Sequence, residues 1–175
     1  MSGIIRKASA KDVDAVEIIY EEVHKDNENN NNYCNWDAKV YPLRADAERA
    51  EAAGTLYVYE EDGEVLAAAI FNHIQPPEYG KLKWNVEASG DSVIVLHTLS
   101  VSPRGRKRGI AKKIVAFGEE LGRELGCTTI RFDTSEFNKL AYSIYTGLGY
   151  AVVGKILAYT SESMAKFLYC FDKKL

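Results

Sequence analysis

The sequence predicts an α/β domain, α+β in some classifications, built on a mixed β-sheet of about six to seven strands with about four helices. Three observations carry that expectation. The elements read in the order βααββ, then βαβαββ. The run "SVIVLHTLSVS", Ser92 to Ser102, has the β-branched, apolar composition of a strand buried on both faces. Directly after it, a turn rich in glycine and arginine feeds an amphipathic helix. A chain of 175 residues fits a single domain over 1–175 and can bury a sizeable core.

In order, "IIRKAS" reads as a first strand, and Ser9 with Asp12 three residues on resembles a capping box opening a helix that runs to about His24. Val13, Val16, Ile19, Tyr20 and Val23 recur at helical spacing and give it one buried stripe. The polar run from Asp26 to Asn32 predicts a mobile surface loop, either a solvated linker or a lid. "LRADAERAEAA" is a second helix that stops at Gly54. "TLYVYE" and "EVLAAAIFNH" flank Asp62-Gly63, a strong hairpin signal. Pro76 and Pro77 make the stretch from Ile74 to Asp91 an irregular connection. After the Ser92–Ser102 strand, Ile110, Ile114, Phe117, Leu121 and Leu125 mark a helix that Gly126 closes. "TTIRFDT" is a strand, "NKLAYSIYTGL" a short helix, and "YAVVGKIL" and "AKFLYCFDK" are closing strands.

Apolar residues make up 46% and charged residues 27%, ordinary values that exclude fibrous and disordered classes. A net charge of -3 argues against a nucleic-acid or anionic-membrane field over the whole chain. Cys34, Cys127 and Cys170 lack disulfide or zinc-ligand spacing, so no metal is expected. Their pattern fits a reducing cytoplasm. No leader-like or membrane-spanning apolar run is read in the sequence.

The basic turn is the local exception. Arg104, Arg106, Lys107 and Arg108 crowd around Gly105 and Gly109 between strand and helix. The first amides of a helix have no internal partner and sit at the positive end of its dipole, so such a turn suits phosphate. Neither the P-loop spacing nor GxGxxG is present. What remains is [Arg/Gln]-x-x-Gly-x-[Gly/Ala], filled by Arg106, Gly109 and Ala111 and preceded by Val101-x-Pro103.

That segment resembles the acetyl-coenzyme A signature of the GNAT superfamily of N-acetyltransferases. A second element supports the likeness: Asn138, Ala141, Tyr145, Gly149 and Tyr150 in "EFNKLAYSIYTGLGY" are similar to the superfamily's later motif. The resemblance implies a GNAT-like fold whose two central parallel strands splay apart around the pantetheine arm. It implies main-chain bonds to that arm from Leu99 and Val101. It also implies a pyrophosphate site formed by Arg106, Lys107, Arg108, Gly109, Ile110 and Ala111, with charge added by Lys112 and a contact from Asn138. Tyr145 would protonate the departing thiolate.

For the base, His97 is the candidate, because period-two alternation would put it on one face with Leu99 and Val101 and a histidine titrates near neutral pH. His73 and Glu78 compete for base or acceptor-binding roles, and Trp36, Tyr41 and Trp84 could line an acceptor pocket. The implied reaction is acetyl transfer from acetyl-CoA to a primary amine by direct attack. The acceptor is a small amine or amino-acid-like metabolite, with a protein N-terminus or lysine as the alternative. A non-catalytic coenzyme A sensor is a competing reading, and a nucleic-acid-binding module is disfavoured by net acidity. A homodimer is left open.

Overall fold

A computed structural model describes residues 3–158 and 166–175. The chain opens with β1 (Ile4–Lys7) and, after one 3-10 turn, α1 (Val13–Asn29) and α2 (Arg44–Ala52). β2 (Leu56–Glu61) and β3 (Glu64–Asn72) form a hairpin. β4 (Val93–Val101), α3 (Ile110–Glu124), β5 (Thr129–Ser135), α4 (Lys139–Gly147), β6 (Ala151–Ala158) and β7 (Lys166–Lys174) follow. Among the described residues the strands make one open seven-stranded sheet in the order β1-β2-β3-β4-β5-β7-β6. Only β4 and β5 run parallel, so the sheet is mixed as expected. Ala165, with which the sequence reading begins the last strand, lies outside the described residues. Among the described residues no helix is long and apolar enough to cross a membrane.

Alternation along β3 divides the core in two. Ala67, Ala69 and Phe71 pack with Ile110, Ile114 and Val115 of α3, whereas Ala68 and Ile70 pack with Val13, Val16 and Tyr20 of α1 and with α2. Fully burying an isoleucine such as Ile114 stabilises by about 1.5–3 kcal/mol, and α3 carries two such residues facing the sheet. Gly118 lets the helix come closer still, because a Cβ there would collide with the Phe71 ring. The β2–β3 turn places both Asp62 and Gly63 at positive φ, 53° and 79°, the backbone a tight Asp-Gly hairpin needs. At the start of α1 the Ser9 amide donates to Asp12 Oδ2 at 2.8 Å. The Arg6 guanidinium beside that carboxylate holds its pKa well below the usual range.

Two expectations fail here. α1 does not stop near His24 but continues to Asn29, so the polar run that begins at Asp26 is in its first four residues the last turn of this helix and not a solvated linker. Asn27 is only 1% exposed, and its Oδ1 accepts from the Cys34 amide at 2.8 Å. The amides of Asn30 and Asn32 both return to the Asn27 carbonyl. Polar side chains pack here because they satisfy one another and the backbone, which composition alone does not reveal. The second failure concerns β4. Its first four residues are buried, but beyond Leu96 burial alternates, so only half the strand is covered on both faces.

Candidate active site

The site grows from a break in the sheet. β4 and β5 pair only from Val93–Thr129 to Val95–Arg131; beyond that register both strands continue, but apart. The main chain of β4 after Val95 therefore has no strand partner on its β5 side. A bulge deepens the break: β3 pairs Ile70 with His97 and Ala68 with Ser100, so three steps of β4 oppose two of β3, and Thr98 adopts φ 52°. This overturns the expected alternation. His97 is in phase with Ser100, whereas Leu99 and Val101 fall in with Leu96 on the α3 side.

On one side of the break lies an apolar groove of about 630 Å³. Leu99, Val101, Ile144 and Leu140 wall it, and Arg106, Lys107, Gly109, Ile110, Ala111 and Lys112 close its end. Gly109 caps α3 at φ 74° with open space where a Cβ would sit, and the first main-chain bond of the helix runs from the Lys113 amide to the Gly109 carbonyl at 3.1 Å. The amides of Ile110, Ala111 and Lys112 are the unpaired opening donors of a helix, with its positive dipole end behind them. Lys107 and Lys112 have no ion-pair partner among the described residues.

The arginines of the turn behave differently. Arg106 donates to Asp26 at 2.6 Å and to the Tyr33 hydroxyl at 2.9 Å, which ties the end of α1 to the groove. Asp26 is held below the usual carboxylate range by that guanidinium. Arg108, expected among the phosphate ligands, does not line the groove and instead pairs with Glu61 on β2. Arg104 pairs with Glu22 at 2.9 Å. A phosphorylated ligand fits this end through main-chain amides and two free lysines rather than through all four cationic side chains.

On the other side of the break is a second cavity of about 310 Å³. Trp36 and Tyr41, ring centres 6.1 Å apart, form one wall, and the Tyr41 hydroxyl is hydrogen bonded to Thr98 Oγ1. Glu78, His97 and Asp133 contribute its carboxyl and imidazole groups. Asp133 on β5 accepts from the Tyr79 hydroxyl at 2.7 Å, and burial raises its pKa above the usual value. His97 Nε2 lies 3.1 Å from the Ile74 carbonyl and 2.9 Å from Asn72 Oδ1. A carbonyl can only accept, so Nε2 carries the proton and Nδ1 keeps the lone pair. Burial lowers the pKa of His97, which keeps the ring neutral near pH 7.

The two cavities share Cys34, Leu99, Asn138 and Tyr145 as lining residues, so they adjoin at the splay. Tyr145 is wedged against Phe132 and Phe171, with ring centres 4.5 and 5.5 Å away. Burial raises its pKa, so the phenol stays protonated. Asn138 caps α4 by accepting from the Ala141 amide at 3.0 Å, and its Nδ2 points to Cys34 Sγ at 3.9 Å. Burial pushes the Cys34 thiol up to about 12.

Of the acceptor-side candidates, the fold brings together His97, Glu78, Trp36 and Tyr41 but not His73 or Trp84. His73 Nδ1 sits 2.8 Å from the Val93 carbonyl, at the start of β4 and not its splayed end. Trp84 packs on Tyr79 and under Arg131, outside the cavity. His73 follows directly on β3, whose antiparallel pairing sets its end beside the start of β4, and Trp84 lies on the loop after it, which packs Tyr79 and Arg131 around the indole. Asp133, Asn35, Thr98, Cys34 and Tyr33 were missed. For Asp133 a signal existed: a carboxylate inside an otherwise apolar strand.

Comparison with known proteins agrees with this geometry. Residues 16–150 match the acetyltransferase (GNAT) family. An acetyltransferase of the GNAT family from Streptococcus agalactiae superposes with a TM-score of 0.84 at 22% identity, covering 99% of this chain and 95% of that one. A ribosomal-protein-alanine N-acetyltransferase from Brucella melitensis superposes at 0.73 with 18% identity, covering 98% and 99%. In sequence, aminoglycoside N(6')-acetyltransferase type 1 of Salmonella typhimurium is 30% identical over 67 residues, 38% of this chain and 46% of that protein. D-amino-acid N-acetyltransferase HPA3 of Saccharomyces cerevisiae is 28% identical over 98 residues, 55% of this chain and 54% of that protein. The alignments thus span about half the length of these curated relatives. The splayed parallel strands, the amide-lined turn before α3 and a family match covering most of the chain lead to one conclusion: the protein belongs to the GNAT family of N-acetyltransferases.

Proposed function

We propose that residues 1–175 act as one catalytic domain that transfers the acetyl group of acetyl-CoA to a small primary amine by direct attack in a ternary complex. The observation that carries this reading is the meeting of the two cavities at Tyr145, Leu99, Asn138 and Cys34. Related proteins support a small acceptor, since two of them are named for the amines of aminoglycosides and D-amino acids. The second cavity, about 310 Å³, lies at the small end of ligand sites.

The amides of Ile110, Ala111 and Lys112 take the pyrophosphate, with Lys107 and Lys112 as counter-charge. The free edge of β4 at Leu99 and Val101 takes the pantetheine arm, and the Asn138 side-chain amide flanks its end. Acetyl-CoA, when bound, supplies the thioester carbonyl that the amine attacks. The new carbon–nitrogen bond forms as the carbon–sulfur bond breaks. His97, neutral and with Nδ1 unprotonated, takes the proton that the amine gives up, directly or through water. Tyr145 gives its phenolic proton to the departing sulfur. Direct attack is favoured over a thioester on the enzyme because the Cys34 thiol, with its raised pKa, is a poor nucleophile at neutral pH. The test is turnover on a panel of primary amines and N-terminal peptides, read by release of coenzyme A thiol. Acetylation of small amines supports the reading; turnover confined to peptides, or none at all with coenzyme A bound, contradicts it.

A further inference from the structure

We propose that the acceptor is a small primary amine of net positive charge that carries no carboxylate, which excludes α-amino acids from the substrate class. This inference rests on the transfer reading and narrows it. Three residues that carry oxygen acceptors line the second cavity from unrelated parts of the chain. Asn35, 3% exposed and held at φ 60°, has a buried Oδ1 that receives no hydrogen bond among the described residues. A buried acceptor left unsatisfied keeps the full cost of its lost hydration, so this atom calls for a donor. Asp133 receives one bond, from Tyr79, and has no ion-pair partner among the described residues. Glu78, on the short turn Pro77–Lys81, has none either.

An ammonium answers this arrangement. It brings three donors and one positive charge to a wall of acceptors, and Trp36 and Tyr41 offer aromatic surface to the carbon skeleton beside it. A carboxylate on the same skeleton would meet two carboxylates. Among the described residues no lysine or arginine lines the cavity, and His97 donates its Nε2 proton to the Ile74 carbonyl and stays neutral. Like charges brought together at a binding surface cost several kcal/mol, which is at least about a hundredfold in affinity. Discrimination here is therefore repulsive as well as attractive.

The experiment uses matched pairs that differ by one carboxylate: tyramine and tyrosine, 2-phenylethylamine and phenylalanine, cadaverine and lysine. Each is measured twice on the full chain, as kcat/KM with acetyl-CoA and as calorimetric Kd on protein saturated with coenzyme A. The expected result is a preference for the decarboxylated member of about a hundredfold or more in both readings. The Glu78→Gln variant, on an accessible turn, should reduce that ratio by about tenfold while acetyl-CoA affinity is kept. Equal treatment of the pairs, or preference for the amino acid, in either reading overturns the proposal. A ratio unmoved by Glu78→Gln also counts against it. If no amine is acetylated but the calorimetric preference holds, transfer fails as a function while the substrate class stands.

Discussion

The two cavities that meet at Tyr145 are built from opposite materials. The donor groove is lined mainly by one continuous stretch, Leu99 to Lys112, and its polar character is main-chain amide plus two free lysines. The acceptor pocket includes Asn35, Glu78, His97 and Asp133 among its polar residues, which lie on four separate segments, and has oxygen acceptors and a neutral imidazole in its lining. One half draws negative charge and the other draws positive charge. On the proposed reading the two substrates are told apart by field before shape, and a change in one half should leave binding in the other nearly untouched.

The largest effect that tests this separation is His97→Ala. With amine saturating, kcat should fall by about a hundredfold, the usual scale for a positioned base, while the Kd for acetyl-CoA stays within about twofold. The pH dependence sharpens the point. Burial depresses the His97 pKa below 6.5, so kcat of the parent enzyme should hold as pH falls through 6.5 and drop only when His97 takes up its proton below that. The variant should lose that limb, and a pH profile unchanged by the substitution contradicts the base assignment.

Gly109→Val comes next. A β-branched residue at φ 74° costs about 1–2 kcal/mol or more and puts side-chain atoms into the open space over the amides. Calorimetry should show coenzyme A binding weakened by at least about tenfold, with the amine KM little changed. Smaller still are the single charges. Lys107→Ala and Lys112→Ala should each weaken coenzyme A by about three- to tenfold, less at high salt. Arg108→Ala should change it by less than about twofold, because its guanidinium is spent on Glu61. Equal losses for Arg108 and the lysines would break the account of the groove.

The same contrast explains what the sequence made legible. The donor half depends on backbone geometry, and backbone geometry leaves a local mark: Gly109, Ala111 and the strand before them stand within a dozen residues. Helices and the hairpin were legible for the same reason, through the stripe from Val13 to Val23 and the Asp62-Gly63 turn. The acceptor half is a coincidence in space. Nothing near Asn35 announces that Asn27 will fold the polar run back by receiving the Cys34 amide, or that this turn will set Asn35 in the wall of a cavity with its side-chain oxygen buried. The bulge at Thr98 was also hidden, because no glycine or proline marks it, and one extra residue was enough to move His97 out of phase with Leu99 and Val101. His73 and Glu78 both stand at the mouth of the proline-containing loop, yet only Glu78 reaches the cavity, because proximity in sequence says little about which way such a loop folds.

The central claim, that the two halves converge on the Tyr145 phenol, is tested most directly by measuring the single-turnover rate and the acetyl-CoA Kd of Tyr145→Phe side by side. Phenylalanine keeps the ring that packs on Phe132 and Phe171 and removes only the hydroxyl that carries the proton. The account predicts a chemical step slowed by about a hundredfold with Kd unchanged to within about twofold. A chemical step as fast as that of the parent enzyme would contradict it.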